Sequence, residues 1–245
     1  MTILNEKVAI VTGSTSGIGE AIVRMLSRAG AKVVINSVSS QEKGEKIADE
    51  LRGLYCSADI SIEADCERLI QTTIQHYGRL DFLVNNAGAV GKLVSNDPDD
   101  ISNEIFSRML NTNVVGTWCL IRHAIPYLKK AQDSSIINIT SVAGLDAAAA
   151  TSSTPYAICK AALNHMTKLL AKELGPEIRV NAVAPGLIKT PRTHDFKAAI
   201  DKFTQRTPLK RVGEPEDIAE IVLALIKSNY INGEVIVVDG GFSTV

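Results

Sequence analysis

The sequence lacks the signatures of metal-binding, secreted and membrane-spanning proteins. Its cysteines show no C-x-x-C spacing and the histidines do not cluster with them, so we expect no metal site. Buried, reduced thiols in a cytoplasmic protein are expected instead, at Cys56, Cys66, Cys119 and Cys159. No run reaches the roughly 18 apolar residues of a membrane span. Residues 1–7 have no apolar segment, so no secretory signal is expected.

An excess of charge of one sign is also missing. The chain has 26 Lys and Arg against 27 Asp and Glu, which gives no electrostatic reason to expect nucleic acid or a membrane surface as a partner. Hydrophobic residues make up 45% and charged residues 22%, so a substantial core is available and disorder is not expected. The 245 residues fit one large α/β domain or two smaller ones, and length alone does not choose.

Short apolar runs alternate with amphipathic stretches along the whole chain. Several runs are β-branched on both faces, as in parallel strands that are covered on both sides. The runs predict strands at 7–12, 32–36, 54–57, 82–85, 135–140, 178–184 and 234–238. Helices are predicted at 17–29, 41–52, 64–77, 101–130 (as two helices), 155–174 and 215–227, with left-handed glycine caps at Gly30, Gly53, Gly78 and Gly175. This alternation, with no linker, predicts one α/β domain over residues 1–245 with a doubly wound parallel sheet.

A glycine-rich turn, Thr12 to Gly19, joins the first predicted strand to the first predicted helix. Its G-x-x-x-G-x-G spacing would let the backbone approach a pyrophosphate at the positive end of the helix, although glycines in such a turn also serve tight packing alone. The second strand ends in Asn36-Ser37-Val38-Ser39-Ser40, with no acid to bond a ribose 2′-hydroxyl. This absence favours NADP over NAD, with hydroxyls and backbone amides as phosphate ligands. The alternative is an ordinary polar turn with a helix N-cap at Ser39 or Ser40.

A tyrosine and a lysine lie one helical turn apart, at Tyr156 and Lys160, and Ser141 ends a predicted strand upstream. An unperturbed phenol titrates near pH ~10, and each unit of lowering needs about 1.4 kcal/mol. A lysine at i+4 shares the helix face and can supply that positive field. A phenol tuned in this way can exchange a proton with a carbonyl or alcohol oxygen. About 0.3 such pairs are expected by chance, so the interpretation depends on the accompanying motifs.

Together these motifs resemble the short-chain dehydrogenase/reductase family, in its single-domain branch. They follow the family's order and cover almost the whole chain: Thr12-Gly13 to Gly19, Asp59-Ile60, Asn85-Asn86-Ala87-Gly88, Asn113, Ser141, Tyr156 with Lys160, Pro185-Gly186 with Thr190, and Val238-Asp239-Gly240-Gly241. The resemblance implies a Rossmann-type seven-stranded sheet of order 3-2-1-4-5-6-7 with helices on both faces. It also implies a nicotinamide cofactor, NADP(H) or NAD(H), and a homotetramer.

The resemblance also implies a role for each matching residue. Tyr156 would be the acid in reduction or the base in oxidation, and Lys160 would lower its pKa and hold the nicotinamide ribose. Ser141 would bond the substrate oxygen, and Asn113 would hold a water that links Lys160 to solvent. Taken singly, each residue fits a purely structural role equally well: Ser141 as a cap at the end of a strand, Asn113 as a hydrogen-bond partner for the backbone at a helix kink, and Asn86 as a residue that holds a turn. The implied cofactor contacts are Gly13, Ser16, Gly17, Ile18, Gly19, Ser37, Asp59, Ile60, Asn86, Ala87, Gly88, Tyr156, Lys160, Pro185, Gly186, Ile188 and Thr190.

In this family the segment 191–212, called the lid here, folds over the substrate. It carries six basic residues (Arg192, Lys197, Lys202, Arg206, Lys210 and Arg211) against Asp195 and Asp201. That charge would steer a phosphorylated acyl carrier or a CoA thioester, although solvated helix faces are commonly lysine-rich as well.

The chain is most similar to 3-oxoacyl-[acyl-carrier-protein] reductases, so an NADP-dependent reductase of 3-oxoacyl thioesters is the expected function. The alternatives are an enzyme for another small alcohol, sugar, steroid or ketone, and a cofactor-sensing protein without turnover. The last alternative predicts a broken catalytic set, whereas Asn113, Ser141, Tyr156 and Lys160 are all present. A longer loop between Ser141 and Tyr156 and a shorter segment at 225–233 distinguish the chain from many relatives, near the substrate pocket and the usual subunit contact.

Overall fold

Seven parallel strands form one sheet in the order β3-β2-β1-β4-β5-β6-β7, as the resemblance implies. The computed structural model describes residues 3–89, 100–145, 154–194 and 197–244. The strands are β1 (Val8–Val11), β2 (Lys32–Ser37), β3 (Leu54–Ser57), β4 (Phe82–Asn85), β5 (Ser134–Ile139), β6 (Ile178–Pro185) and β7 (Val235–Val238). The described chain is thus a single doubly wound α/β domain.

Helices cover both faces of the sheet. They are α1 (Gly17–Arg28), α2 (Gln41–Leu51), α3 (Glu63–Tyr77), α4 (Asn103–Leu110), α5 (Gly116–Leu128), α6 (Thr154–Leu174), α7 (Lys197–Arg206) and α8 (Pro215–Lys227). Alternate residues of the buried strands enter two separate cores: Ala9 and Val11 of β1 pack with α1, α2 and α8, whereas Val8 and Ile10 pack with α3, α5 and α6. No described helix is long and apolar enough to cross a membrane.

The two helices predicted at 101–130 are α4 and α5, which a π-helical turn, Asn111–Val115, joins without a break. Two other sequence predictions need correction. Gly30 and Gly78 have the positive φ of a left-handed cap. Gly53 does not, because Arg52 takes the left-handed position after α2, and Gly175 does not have a positive φ either. Helix α7, inside the lid, has no counterpart among the predicted helices; it buries only Phe203.

The carboxyl ends of all strands meet at one edge of the sheet. The chain leaves β1 toward β2 on one side and reaches β4 on the other side only after β3. The loops after β1 and β4 therefore diverge at this edge and leave a crevice between them, the position where open α/β sheets bind ligands.

Candidate active site

A cleft of about 580 Å³ opens at this edge of the sheet. Ser141 and every residue that the sequence predicts to contact the cofactor line its wall, which brings together segments from Gly13 to Thr190. Asn113 lies behind the wall. The lid contributes Arg192 and, from α7, Ala199 and Phe203.

The glycine-rich turn forms the cleft wall at the N-terminus of α1. Gly13 and Gly17 have φ of +61° and +54°, which favours residues without a Cβ. A Cβ on Gly13 would lie 3.0 Å from the Ala87 Cα, and a Cβ on Gly17 would lie 3.0 Å from the Thr190 Cγ2. The turn therefore presents bare backbone and the first N–H groups of α1 to the cleft.

Two polar side chains fasten this turn to the loop after β4. The Thr12 hydroxyl accepts hydrogen bonds from the backbone N–H groups of Asn86 (3.0 Å) and Ala87 (2.9 Å). In return, the Asn86 Nδ2 donates to the carbonyl oxygens of Thr12 (2.8 Å) and Gly13 (3.0 Å). Asn86, a predicted cofactor contact, lines the cleft, and its amide group holds the turn in position.

The end of β2 is tied to its neighbours by the buried side chain of Asn36. Its Nδ2 donates to the carbonyl oxygens of Cys56 (3.1 Å) and Ala58 (3.0 Å), and its Oδ1 accepts from the Gly13 N–H (3.3 Å). The next residue, Ser37, has its hydroxyl 2.9 Å from the Tyr55 hydroxyl. Residues 37–40 line the cleft, and α2 begins with Ser40 at the N-cap without a side-chain cap. The first N–H groups of α2 are thus available to an anion in the cleft.

Asp59, after β3, organises its own turn. Its Oδ1 accepts hydrogen bonds from the Ser61 N–H (2.9 Å) and the Ser61 hydroxyl (2.7 Å). The adjacent Ile60 is buried, and both residues line the cleft.

At the other end of the cleft, Ser141, Tyr156 and Lys160 come together. Ser141 follows β5 and begins a 3₁₀ turn, Val142–Gly144, that packs against α6. A Cβ on Gly144 would lie 2.5 Å from the Lys160 carbonyl carbon, so glycine permits the approach that brings Ser141 to Tyr156. The buried Lys160 Nζ donates to the Ile139 carbonyl oxygen (2.8 Å) and lies 5.5 Å from the centre of the Tyr156 ring.

Burial changes the pKa of both groups. It lowers the pKa of Lys160 from 10.5 to about 8, and the positive charge of Arg192 acts in the same direction. Burial raises the pKa of Tyr156 above its usual value of 10, against the opposing effects of a hydrogen bond with Ser141 and of the Arg192 charge. The resemblance implies that Lys160 lowers the Tyr156 pKa when the cofactor is bound; in the protein alone, loss of solvent has the larger effect and raises it.

Asn113 lies in the π-helical turn and is fully buried. Its Nδ2 donates to the carbonyl oxygens of Met109 and Ala89, at 2.9 Å each. Its Oδ1 is buried and has no hydrogen-bond partner within the described ranges. A Cβ on Gly88 would lie 2.7 Å from this oxygen and 3.6 Å from the Lys160 Nζ, so the oxygen faces the space beside Lys160. A buried amide oxygen of this kind is satisfied by a bound water or ligand.

Arg192 is a site residue that the sequence interpretation places only among the lid cations. Its Nη1 donates to the Gly88 carbonyl oxygen (3.3 Å), across the cleft from the end of β6. In the sequence, its position two residues after Thr190, a predicted cofactor contact, is the one feature that indicates a place in the site.

Outside the cleft, ligand atoms of Glu63, Cys119 and His123 lie within 4.8 Å of one another. Cys119 and His123 lie one turn apart on α5, and the sequence separation between α3 and α5 conceals the proximity of Glu63 to them.

Comparison with known proteins gives consistent matches over almost the whole chain. The family model described as Enoyl-(Acyl carrier protein) reductase matches residues 13–243. A protein assigned as ketoacyl reductase 2 of the granaticin polyketide synthase of Streptomyces violaceoruber is 47% identical, covering 96% of this chain and 95% of that protein. The 3-oxoacyl-[acyl-carrier-protein] reductase FabG of Thermotoga maritima is 36% identical, covering 97% and 98%. A short-chain dehydrogenase of Burkholderia cenocepacia J2315, crystallised with NADP, has a TM-score of 0.91 at 28% identity, covering 98% and 99%.

Proposed function

The chain belongs to the short-chain dehydrogenase/reductase family of nicotinamide-dependent oxidoreductases, and from this premise we propose that it reduces a 3-oxoacyl thioester with NADPH. The observation that carries the proposal is the meeting of Ser141, Tyr156 and Lys160 at one end of the cleft. The relatives named as ketoacyl and 3-oxoacyl reductases supply the substrate class.

The residues of the cleft fit a dinucleotide. A Cβ at Gly13 or Gly17 would press against the Ala87 and Thr190 atoms of the cleft wall, so only glycine keeps this wall bare. The N-terminus of α1 offers N–H groups to a pyrophosphate. At the far end of the cleft, the Asn113 Oδ1 and the Lys160 Nζ are the polar groups. We assign the cofactor contacts to the residues named from the sequence, with Asn86 acting mainly through the turn that it holds. When bound, the nicotinamide supplies the hydride.

Tyr156 acts as the general acid in this proposal. Its phenol donates a proton to the carbonyl oxygen as that oxygen becomes a hydroxyl. Ser141, hydrogen-bonded to the phenol, donates to the same substrate oxygen and orients it. Lys160 holds the ribose and, with a water on the Asn113 Oδ1, returns a proton to Tyr156. This acid–base help is worth roughly 10²–10⁴ in rate.

The preference for NADP is supported at the end of β2. No acid stands at 36–40 to repel a 2′-phosphate, residues 37–40 line the cleft, and the Ser40 side chain leaves the first N–H groups of α2 uncapped. The neighbour crystallised with NADP agrees with this choice. We expect a higher kcat/KM with NADPH than with NADH, and Ser37→Asp should reverse the preference whereas Ser37→Ala should not.

The packing of α7 against the cleft supports the assignment of residues 191–212 as a lid over the substrate. Phe203 stacks on Phe242 with ring centres 4.3 Å apart, which anchors α7 next to the Gly186 wall. The positive charge of the lid is weaker evidence for an acyl carrier or CoA substrate than the sequence suggests, because the Arg211 charge is neutralised by Asp217 (2.7 Å). Lys197 and Lys202 remain exposed on α7. Positions 195–196, including Asp195, and the loop 146–153 lie outside the described residues.

We also propose a homotetramer and a cytoplasmic location. The tetramer is supported by large apolar side chains that α5, α6 and the π-helical turn leave exposed. The location is supported by the cysteines, which are all buried and unpaired.

Absorbance at 340 nm tests the proposal directly. We expect oxidation of NADPH with acetoacetyl-CoA, and much slower oxidation with unesterified acetoacetate and with simple ketones. The matched family model names an enoyl reductase, so crotonyl-CoA tests reduction of a carbon–carbon double bond as the second candidate. Turnover of simple ketones or sugars without turnover of thioesters would refute the substrate class. Cofactor binding without any turnover would refute the enzymatic role.

A further inference from the structure

A cluster of metal-ligating side chains lies between α3 and α5, outside the cleft. Glu63 and Cys66 lie three residues apart in α3, and Cys119 and His123 lie four residues apart in α5. Residues three or four apart share a helix face, so each helix turns two such side chains toward the other. The ligand atoms of Glu63, Cys119 and His123 all lie within 4.8 Å of one another.

The contacts leave this cluster incompletely satisfied. The His123 Nε2 is buried, lies 3.5 Å from the Glu63 Oε1 and makes no hydrogen bond to any described residue. The Cys66 thiol is next to the Cys119 thiol, and burial together with Cys119 raises the pKa of Cys66 to about 12. Glu63 is exposed to solvent and is also paired with Arg122. The cluster therefore has a solvent-facing side through which an ion can reach it.

Carboxylate oxygen, thiolate sulfur and imidazole nitrogen are the three donor types that zinc takes. We propose that Glu63, Cys119 and His123 bind one zinc ion, with the Cys66 thiol beside them. Binding releases the thiol proton of Cys119 to solvent and moves the Glu63 carboxylate from Arg122 to the metal. The side chains need to close by up to about 1.4 Å, because the ligand atoms lie within 4.8 Å of one another and those around tetrahedral zinc lie roughly 3.4 Å apart.

The ion would join two elements that carry the cleft. Helix α3 follows the Asp59-Ile60 turn, and the Cys66 thiol donates to the Ile60 carbonyl oxygen (3.2 Å). Helix α5 continues from the π-helical turn that holds Asn113. A metal between the two helices therefore cross-links both walls, so zinc should raise the melting temperature of the full chain.

Cobalt(II) serves as the spectroscopic probe. The full-length protein, treated with a chelator and kept under a phosphine reductant, should give a thiolate-to-cobalt absorption band that saturates at one equivalent. Zinc should abolish this band and raise the melting temperature by roughly 4 °C or more. Both effects should disappear in Cys119→Ser and in His123→Gln, which keeps the thiol. The control Cys56→Ser, a buried thiol elsewhere, should retain both.

Three results would overturn the site: no cobalt band in the wild-type protein, a band that survives in Cys119→Ser, or equal loss of the band in Cys56→Ser. The readouts are absorption and melting temperature, so they do not depend on the proposed reductase activity.

Discussion

At the scale of single residues, burial favours the uncharged forms of two neighbouring titratable groups, Tyr156 and Lys160. Tyr156 resists ionisation and Lys160 loses its proton more readily. A protonated phenol is the form that donates to a carbonyl oxygen, and an upward pKa shift favours that form while making it a weaker acid. The two residues can be tested separately: replacement of Tyr156 should change turnover, whereas replacement of Lys160 should also change the pH dependence of stability.

Replacement of Tyr156 by Phe removes only the hydroxyl. We expect the variant to fold and to bind cofactor as the wild type does, with kcat lowered roughly 10²–10⁴-fold because the general acid is lost. Circular dichroism, cofactor fluorescence titration and initial rates measure the three properties. Val38→Ala, a change at the exposed rim of the cleft, serves as the control and should keep most turnover. Unchanged kcat in Tyr156→Phe would remove this residue from the mechanism.

Replacement of Lys160 by Met tests the lowered pKa through the pH dependence of stability. Below about pH 8 the folded and unfolded states both hold the lysine proton, and burial of the charge penalises the wild type. Between about pH 8 and 10.5 the unfolded state holds more protons, so wild-type stability rises with pH by up to about 3 kcal/mol. The methionine variant has no such gain, although it removes the hydrogen bond from Lys160 to the Ile139 oxygen at every pH.

Urea unfolding of both proteins from pH 7 to pH 10 measures this difference. The free energy of unfolding of Lys160→Met, relative to the wild type, should be highest at pH 7 and should fall above pH 8. Parallel curves for the two proteins across this range would mean that the Lys160 pKa is not lowered.

At the scale of elements, the sequence predicts the strands well because they are buried on both faces and read as continuous apolar runs. Each predicted strand lies within one residue of its observed bounds. Helix α7 is missed because only Phe203 is buried, which leaves no apolar periodicity to detect. The π-helical turn, the Arg192 contact with Gly88 and the Cys119–His123–Glu63 cluster depend on packing between segments far apart in sequence. Local patterns carry no record of that packing.

The turn after β1 depends on a partner from another element. Asn86→Ala removes two hydrogen bonds, to the Thr12 and Gly13 oxygens, and leaves both oxygens without these donors. We expect a loss of roughly 1–3 kcal/mol of stability and a cofactor Kd raised about tenfold, because the glycine-rich turn loses its support. Thermal unfolding and cofactor titration measure both effects. Asn111→Ala removes one exposed amide contact, with Ser61, and is the control. Equal effects of the two variants would contradict the bracing role of Asn86.

At the scale of the whole molecule, the parallel topology accounts for the convergence of the site. Residues from Gly13 to Thr190 share one cleft because every strand delivers its carboxyl end to the same edge. The same topology leaves α5 and α6 on one face of the domain. There, Val115 and Trp118 lie three residues apart, and Ile158 and Leu169 lie eleven apart, so each pair returns to one side of its helix. These four large apolar side chains are between 45% and 53% exposed.

An exposed apolar surface of this kind is typical of an interface between copies of a chain. We expect the wild type to be a tetramer by light scattering coupled to size-exclusion chromatography. Trp118→Glu and Ile158→Glu should each dissociate it, because a carboxylate would be buried without a partner at the interface. Ile3→Glu places the same charge on an exposed apolar residue of the N-terminal segment, away from α5 and α6, and should leave the assembly intact. A monomeric wild type, or tetramers in both helix variants, would exclude this surface as the subunit contact. If the variants dissociate and keep cofactor binding, the cleft is complete within one chain, as the convergence of strand ends from a single sheet predicts.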